Sequence, residues 1–273
     1  MSVSREDFDF VRDVLYRLSG YVLEDGKGYL VEARLRGLAR EDGFEDLDAL
    51  IRALRLDGER GSLRVRMVES MLIGETRFFR DEHPFETLRT SILPDVIKHA
   101  ADRRSLRIWS AASSTGQEAY SLAMLLADFP ELASWDVRIY ATDLSRPMLA
   151  RVEAGTYTDA EVDRGLPDEA RARWFTRIEQ GSWRLSPKLK ERIEIQGLNL
   201  VEPWLGLPRM DLILIRNVLI YFDSETKRDI LRRAHEQLRP GGYLLLGTSE
   251  SLPPGQMLFE QMRHGRTIYY RRR

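Results

Sequence analysis

The chain has 273 residues, 43% hydrophobic and 31% charged, which is the composition of an ordinary globular protein with room for one large or two modest domains. A formal net charge of -1 argues against nucleic-acid binding by bulk electrostatics, and the lack of cysteine excludes disulfides, thiolate nucleophiles and Cys-based metal sites. The histidines, His83, His99, His235 and His264, lie far apart with no ligand-spaced pair, so no metal is expected.

No N-terminal apolar run resembles a signal peptide and no run is long enough to span a bilayer, so a cytoplasmic protein without membrane insertion is expected. Residues 1–73 read as a helical domain. Ser4 caps a first helix with Asp7 at its third position, and Phe8, Val11, Val14, Leu15 and Leu18 form its apolar stripe up to Gly20. Residues 29–39 carry Leu30, Ala33, Leu35 and Leu38 beside Lys27, Arg34, Arg36 and Arg40. That basic face has two readings, a solvated surface and a docking surface for an acidic partner. Residues 46–56 and 63–73 complete four amphipathic segments.

The segment Gly74-Glu75-Thr76-Arg77-Phe78-Phe79-Arg80-Asp81 joins this domain to the rest, with Phe78 and Phe79 as candidate anchors, and residues 85–101 follow as a helix. From Ser105 strands and helices alternate. Leu106-Arg107-Ile108-Trp109 is a strand, residues 110–116 are small or hydroxylic, and Glu118 opens a helix. Strand, small-residue turn, helix presents free amides and a positive helix end, as a nucleotide site in a doubly wound α/β sheet does. The same pattern also serves as plain wiring from sheet to helix. The second strand, residues 137–142, ends at Asp143, an acid placed to accept ribose hydroxyls. Only Gly116 remains of a dinucleotide fingerprint, which disfavours NAD and suits a ligand without pyrophosphate, such as S-adenosylmethionine.

Short alternating runs between residues 177 and 197 suggest a small antiparallel insertion. Met210-Asp211-Leu212-Ile213-Leu214-Ile215 reads as a strand buried on both faces, residues 224–238 as a helix and 243–247 as another buried strand. Residues 259–262 and 267–270 form a closing hairpin around His264-Gly265-Arg266.

Six stretches, in order, carry a family resemblance: Glu75 to Arg80 (ETRFFR), Trp109 to Ser121 (WSAASSTGQEAYS), Ala141 to Asp143 (ATD), Asn199-Leu200, Arg216 to Phe222 (RNVLIYF) and Leu238 to Glu250 (LRPGGYLLLGTSE). Together they resemble the CheR-type chemotaxis receptor methyltransferases, which move the methyl group of S-adenosylmethionine onto glutamate side chains of bacterial chemoreceptors. The resemblance implies a helical N-terminal domain over 1–73. It implies a Rossmann-like class I S-adenosylmethionine-dependent methyltransferase domain over 74–273, with a small antiparallel β insertion.

For the cofactor the resemblance implies contacts from Gly74, Thr76 and Arg80, with Glu118 at the methionine end, Asp143 at the ribose, Asn199 and Leu200 at the adenine, and Arg216 and Asn217 beside the reacting centre. Tyr221 matches a tyrosine near the methyl group. Gly74 stands where the family often has Asn, and Gln117-Glu118-Ala119 where it often has Glu-Glu-Pro. The implied partners are the cytoplasmic acidic helices of chemoreceptors. A short insertion implies independence from a C-terminal receptor peptide tether.

A glutamate nucleophile, with a reference pKa of about 4.3, is already ionised at neutral pH and needs no general base. Arg80 and Tyr221 are then the candidate catalytic groups, Arg80 orienting a carboxylate and the Tyr221 hydroxyl donating one hydrogen bond to it. The alternative from another class is a cofactor-sensing docking protein without catalysis. It expects a damaged site, whereas Glu118, Asp143, Arg216, Asn217 and Tyr221 are all present.

Overall fold

The computed structural model describes residues 3–179, 181–255 and 257–273. Residues 1–2 of the expected helical domain and residue 180 of the expected insertion lie outside that description. The chain divides into two compact units, one formed by the chain up to Ile73 with Tyr221–Thr226, the other by Gly74–Ile220 and Lys227–Arg273.

The first unit packs α1 (Arg5–Ser19), α2 (Gly28–Glu41), α3 (Leu47–Leu56) and α4 (Ser62–Met71). Ser4 Oγ accepts the Asp7 N–H at 3.1 Å, and Gly20 ends α1 at φ 73°, where a side chain would be strained. Val11, Leu15, Val31, Leu35, Leu50, Leu54 and Met67 are fully buried. Their 3.6-residue spacing is what turns each helix toward this core.

The second unit opens with α5 (His83–Thr87) and α6 (Leu93–Ala100), joined by a π-helical turn over Leu88–Ile92. Pro94 explains the widened turn. It has no N–H to give the ladder, and the Leu93 N–H reaches back to Leu88 O instead. There follow β1 (Ser105–Ala111), α7 (Gln117–Leu126), β2 (Asp136–Asp143), α8 (Arg146–Ala154), β3 (Thr156–Thr158), α9 (Asp159–Asp163), α10 (Asp168–Trp174), β4 (Phe175–Glu179) and β5 (Ser182–Leu185). The chain continues through α11 (Pro187–Lys190), β6 (Ile193–Gly197), β7 (Met210–Ile215), α12 (Ser224–Gln237), β8 (Leu238–Leu246), β9 (Phe259–His264) and β10 (Thr267–Arg272).

The large sheet runs β6-β2-β1-β7-β8-β10-β9, parallel from β6 to β8 and antiparallel across β10 and β9. From β1 the chain first builds outward to β2 and β6, then crosses to β7 and β8, so the strand order reverses at β1. The crevice outside the carboxyl ends of the strands at such a reversal is where an open α/β sheet binds its ligand. Every residue of β7 is buried, as its apolar run requires of a strand covered on both faces. The acid in that run, Asp211, is satisfied by Arg103 Nη2 at 2.6 Å and the Arg107 N–H at 2.9 Å, although burial still pushes its carboxyl up.

The expected insertion over 177–197 is divided differently in the structure. A three-stranded antiparallel sheet of order β3-β5-β4 uses residues 156–158, 182–185 and 175–179. Ile193–Gly197 instead pairs parallel with β2 at the edge of the large sheet. Alternation in Ile193-Glu194-Ile195-Gln196 describes a strand with one covered face, and edge strands of both sheets have one. The pattern therefore names the element but not its partner.

Candidate active site

The carboxyl ends of β1, β2 and β7 bring together most of the expected residues. After β1 the chain bends sharply, with Ala112 and Ser114 both at φ 52° and Gly116 at φ 93°. A Cβ on Gly116 would stand 3.1 Å from Val152 and 3.2 Å from the Tyr157 hydroxyl, so glycine answers both the backbone angle and the space. Asp143 closes the bend: Oδ2 accepts the Ser114 N–H at 2.8 Å and Oδ1 the Ser145 N–H at 2.9 Å. Its carboxylate, 7% exposed, thus ties the first turn to the second. A carboxylate oxygen can accept more than one hydrogen bond, which suits hydroxyls of a sugar.

Tyr157 supports the turn from the small sheet. Its hydroxyl donates to Thr115 O at 2.8 Å, and burial holds its proton well above the ordinary phenol range, so it stays a donor. Ser113 Oγ is buried with no hydrogen-bond partner among the described residues, an orphan donor on the turn where a polar ligand is expected.

One step further lies a buried charge network. The Arg216 side chain, 1% exposed, donates Nη1 to Glu118 Oε2 at 2.8 Å and Nη2 to Asp81 Oδ2 and Arg80 O, both at 3.0 Å. Ser110 Oγ donates to the other oxygen of Glu118 at 2.7 Å, and Thr248 Oγ1 to Asp81 Oδ2 at 3.0 Å. β7, α7 and the segment before α5 therefore meet on one guanidinium. Arg216, expected beside the reacting centre, spends both terminal nitrogens on protein acceptors and holds Glu118, the Arg80 carbonyl and the Asp81 carboxylate in place.

Arg80 itself is half-buried and donates Nη1 to Glu75 O at 2.8 Å. Glu75 in turn pairs with Arg164 at 2.7 Å, and that bond holds its carboxyl below the usual range. Phe78, fully buried, meets Tyr157 and Phe175 edge-on, the anchor expected of it. Gly74 O accepts from Ser114 Oγ at 2.7 Å, and a Cβ at Gly74 would lie 2.4 Å from Met148 Cε. The methionine occupies the space a side chain at 74 would need. Thr76 is half-buried.

On the far side of β2, Asn199 Oδ1 accepts the Val201 N–H at 3.3 Å. Leu200 O accepts from Arg233 Nη2 at 2.6 Å and Trp204 Nε1 at 3.2 Å, with the Arg233 guanidinium 4.5 Å above the Trp204 ring. Asn217 sits at φ 58°, left-handed, and its N–H donates to Glu250 Oε2 at 2.7 Å. Tyr221 packs in the helical unit, its ring stacked on Tyr21 at 4.9 Å and its carbonyl accepting the Val22 N–H at 2.8 Å. Ser110, Asp81 and Glu250 were not among the expected site residues. Ser110 and Glu250 lie within the stretches that carry the resemblance, and Asp81 directly follows one.

A reversed-order parallel sheet, a side-chain-poor turn, an acid at the second strand tip and a partly buried acid at the start of α7 together suit an S-adenosylmethionine-dependent methyltransferase. Comparison with known proteins gives the family. "CheR methyltransferase, SAM binding domain" matches residues 74–268 and "CheR methyltransferase, all-alpha domain" residues 6–72. The chain belongs to the CheR methyltransferase family, and its cofactor is S-adenosylmethionine. It is 43% identical over 256 residues to Chemotaxis protein methyltransferase 1 of Pseudomonas aeruginosa, covering 92% of each chain. It is 39% identical over 256 residues to Chemotaxis protein methyltransferase Cher2 of Pseudomonas putida, again with 92% of each covered. The Chemotaxis protein methyltransferase of Vibrio anguillarum is 38% identical over 275 residues, covering 99% of this chain and 98% of that one. Among the described residues no helix is long and apolar enough to cross a membrane.

Proposed function

We propose that the protein is a protein-glutamate O-methyltransferase that esterifies glutamate side chains on the cytoplasmic acidic helices of chemoreceptors. It acts in the cytoplasm, in chemotaxis adaptation or a related signalling array, without a C-terminal receptor tether. The reading is carried by one observation: chemotaxis methyltransferases match this chain across both its helical and its cofactor-binding parts. The intact Arg216–Glu118–Asp81 network supports catalysis over a role in docking alone.

S-adenosylmethionine supplies a methyl group on a sulfonium, and displacement at that carbon by a carboxylate breaks the C–S bond with no proton transferred. Since the substrate glutamate is ionised at neutral pH, what the protein's residues contribute is position and the exclusion of water. Correct orientation of two reactants is worth roughly 7–11 kcal/mol over free encounter. Glu118 holds the methionine ammonium, Asp143 the ribose hydroxyls, Asn199 and Leu200 the adenine edge, and Gly74, Thr76 and Asn217 the remaining contacts. Arg216 keeps Glu118 aimed. Arg80 orients a carboxylate by its guanidinium, and Tyr221 donates one hydrogen bond to the substrate.

The test begins with calorimetric titration by S-adenosylhomocysteine, with NAD as the control. Methyl-labelled S-adenosylmethionine is then offered with a purified receptor cytoplasmic fragment, with and without its last residues. Stoichiometric binding and base-labile label on receptor glutamates, equal for both fragments, is the expected outcome. Tight S-adenosylhomocysteine binding with no label transferred overturns the catalytic reading, and label only on the full-length fragment overturns tether independence.

A further inference from the structure

We propose that Glu250 is a positioning residue for methyl transfer, a carboxylate clamp that sets the loop leaving β7. The proposal rests on the methyltransferase reading above. Glu250 follows β8 by four residues, and its side chain turns back onto two loops. Oε2 accepts the N–H groups of Asn217 and Gly247, each at 2.7 Å. Oε1 accepts those of Val218 at 2.9 Å and Ile220 at 3.4 Å. One carboxylate thus gathers backbone donors from the carboxyl ends of two neighbouring parallel strands, β7 and β8.

Two further features fit only this arrangement. Asn217 is left-handed, at φ 58°, which turns its own N–H and the next one toward the same acceptor. Gly247 has no room for a side chain: a Cβ there would lie 2.5 Å from Glu250 Oε2 and 2.8 Å from the Asn217 nitrogen. The backbone of both loops has been brought close enough to share a single anion.

The clamped segment matters because of what lies at its two ends. Arg216, one residue before it, holds Glu118, the Arg80 carbonyl and the Asp81 carboxylate. Tyr221, one residue after it, is the proposed donor to the substrate carboxylate. With the anion gone, the four N–H groups turn to water and the loop samples conformations in which neither end is correctly placed. Methyl transfer, which depends on alignment rather than on proton movement, loses rate while receptor docking elsewhere on the protein is untouched.

The test compares wild type with Glu250→Gln, Glu250→Asp and Glu250→Ala, at a temperature well below the melting point of each variant. A labelled-methyl assay on a receptor fragment separates kcat from KM. Glu250→Ala should lower kcat about tenfold or more, the scale of a charge-assisted backbone hydrogen bond lost from a positioned loop, with receptor KM changed by less than about threefold. Gln keeps the length and half the acceptors, so it should fall between wild type and Ala. Asp keeps the charge but is too short to span both loops, so it should resemble Ala. Gly247→Ala is the independent variant, pushing the same loops apart with Glu250 intact, and should give the same kinetic signature.

Variants that melt lower but turn over at the wild-type kcat make Glu250 a structural brace and overturn the proposal, as does a rise in receptor KM at constant kcat. A wild-type protein that moves no label overturns the methyltransferase reading and the clamp with it. Active wild type beside fully active variants overturns the clamp alone.

Discussion

Replacing Arg216 by Met removes a guanidinium that is 1% exposed and leaves Glu118, 12% exposed, without its cation, while Asp81, 24% exposed, keeps Arg77 at 3.5 Å. Breaking one buried ion pair by deleting a partner typically costs about 3–5 kcal/mol, because the remaining charge stays desolvated. Here Glu118 keeps the Ser110 hydroxyl, and Asp81 keeps the Thr248 hydroxyl and Arg77. The lower end applies, so Arg216→Met should cost about 3 kcal/mol in urea unfolding. Glu118→Gln removes the charge that most needs Arg216, and the Gln oxygen can still accept from Ser110. The double variant should therefore be more stable than the sum of the two single losses predicts, by about 2 kcal/mol. S-adenosylhomocysteine affinity should fall with Arg216→Met even where the protein is fully folded, since Glu118 is no longer aimed. Losses that add to within about 0.5 kcal/mol would refute the idea that Arg216 acts through Glu118.

Asp143→Ala should weaken S-adenosylhomocysteine binding by about 1–3 kcal/mol in calorimetry, through the lost acceptors and the released Ser114 and Ser145 amides; unchanged affinity removes Asp143 from the site. Arg80→Ala and Tyr221→Phe should fold normally and lower methylation of a receptor fragment, and full activity in both would end their assignment. His83 gives a pH signature. Burial, with help from Arg266, lowers its pKa below the ordinary 6.5, so the folded protein favours the neutral ring that bonds Thr267 Oγ1 at 2.8 Å. Its contribution to stability is complete above pH 6.5 and declines as pH falls below that value. Melting temperature against pH should show a slope in this window that His83→Gln flattens; an unchanged slope assigns the effect to other groups.

Local chemistry made much of this architecture legible. Six consecutive buried residues in β7, the glycines at the end of α1 and in the turn after β1, and an acid at the tip of β2 are read directly from residue type and spacing, because each answers to a steric or solvation rule. Asp143 was legible for the same reason, whereas a site role for Glu118 was implied by the family resemblance. Pairing partners were not legible. Ile193–Gly197 reads as a strand, yet nothing in five alternating residues distinguishes a parallel neighbour in the large sheet from an antiparallel one in the small sheet. The second role of Arg216 was hidden too, since Glu118 lies 98 residues before it and Asp81 135 residues before it. Glu250 closes one of the family stretches, but its bonding was hidden, because backbone N–H donors leave no mark on the identity of the residues that carry them.

Tyr157 belongs to the small sheet by its strand pairing and to the cofactor turn by its hydroxyl, and its ring lies against Phe78 and Tyr120 in the main core. The small sheet is therefore not a detachable module, although its β4–β5 hairpin is a tempting unit to exchange between relatives. A graft cut at residue 155 would carry the tyrosine away and leave the Thr115 carbonyl and an aromatic cluster bare. A graft cut after β3 would leave both in place and change only the outward-facing strands. The join that recombination tolerates is set by one phenol rather than by the boundary of the sheet.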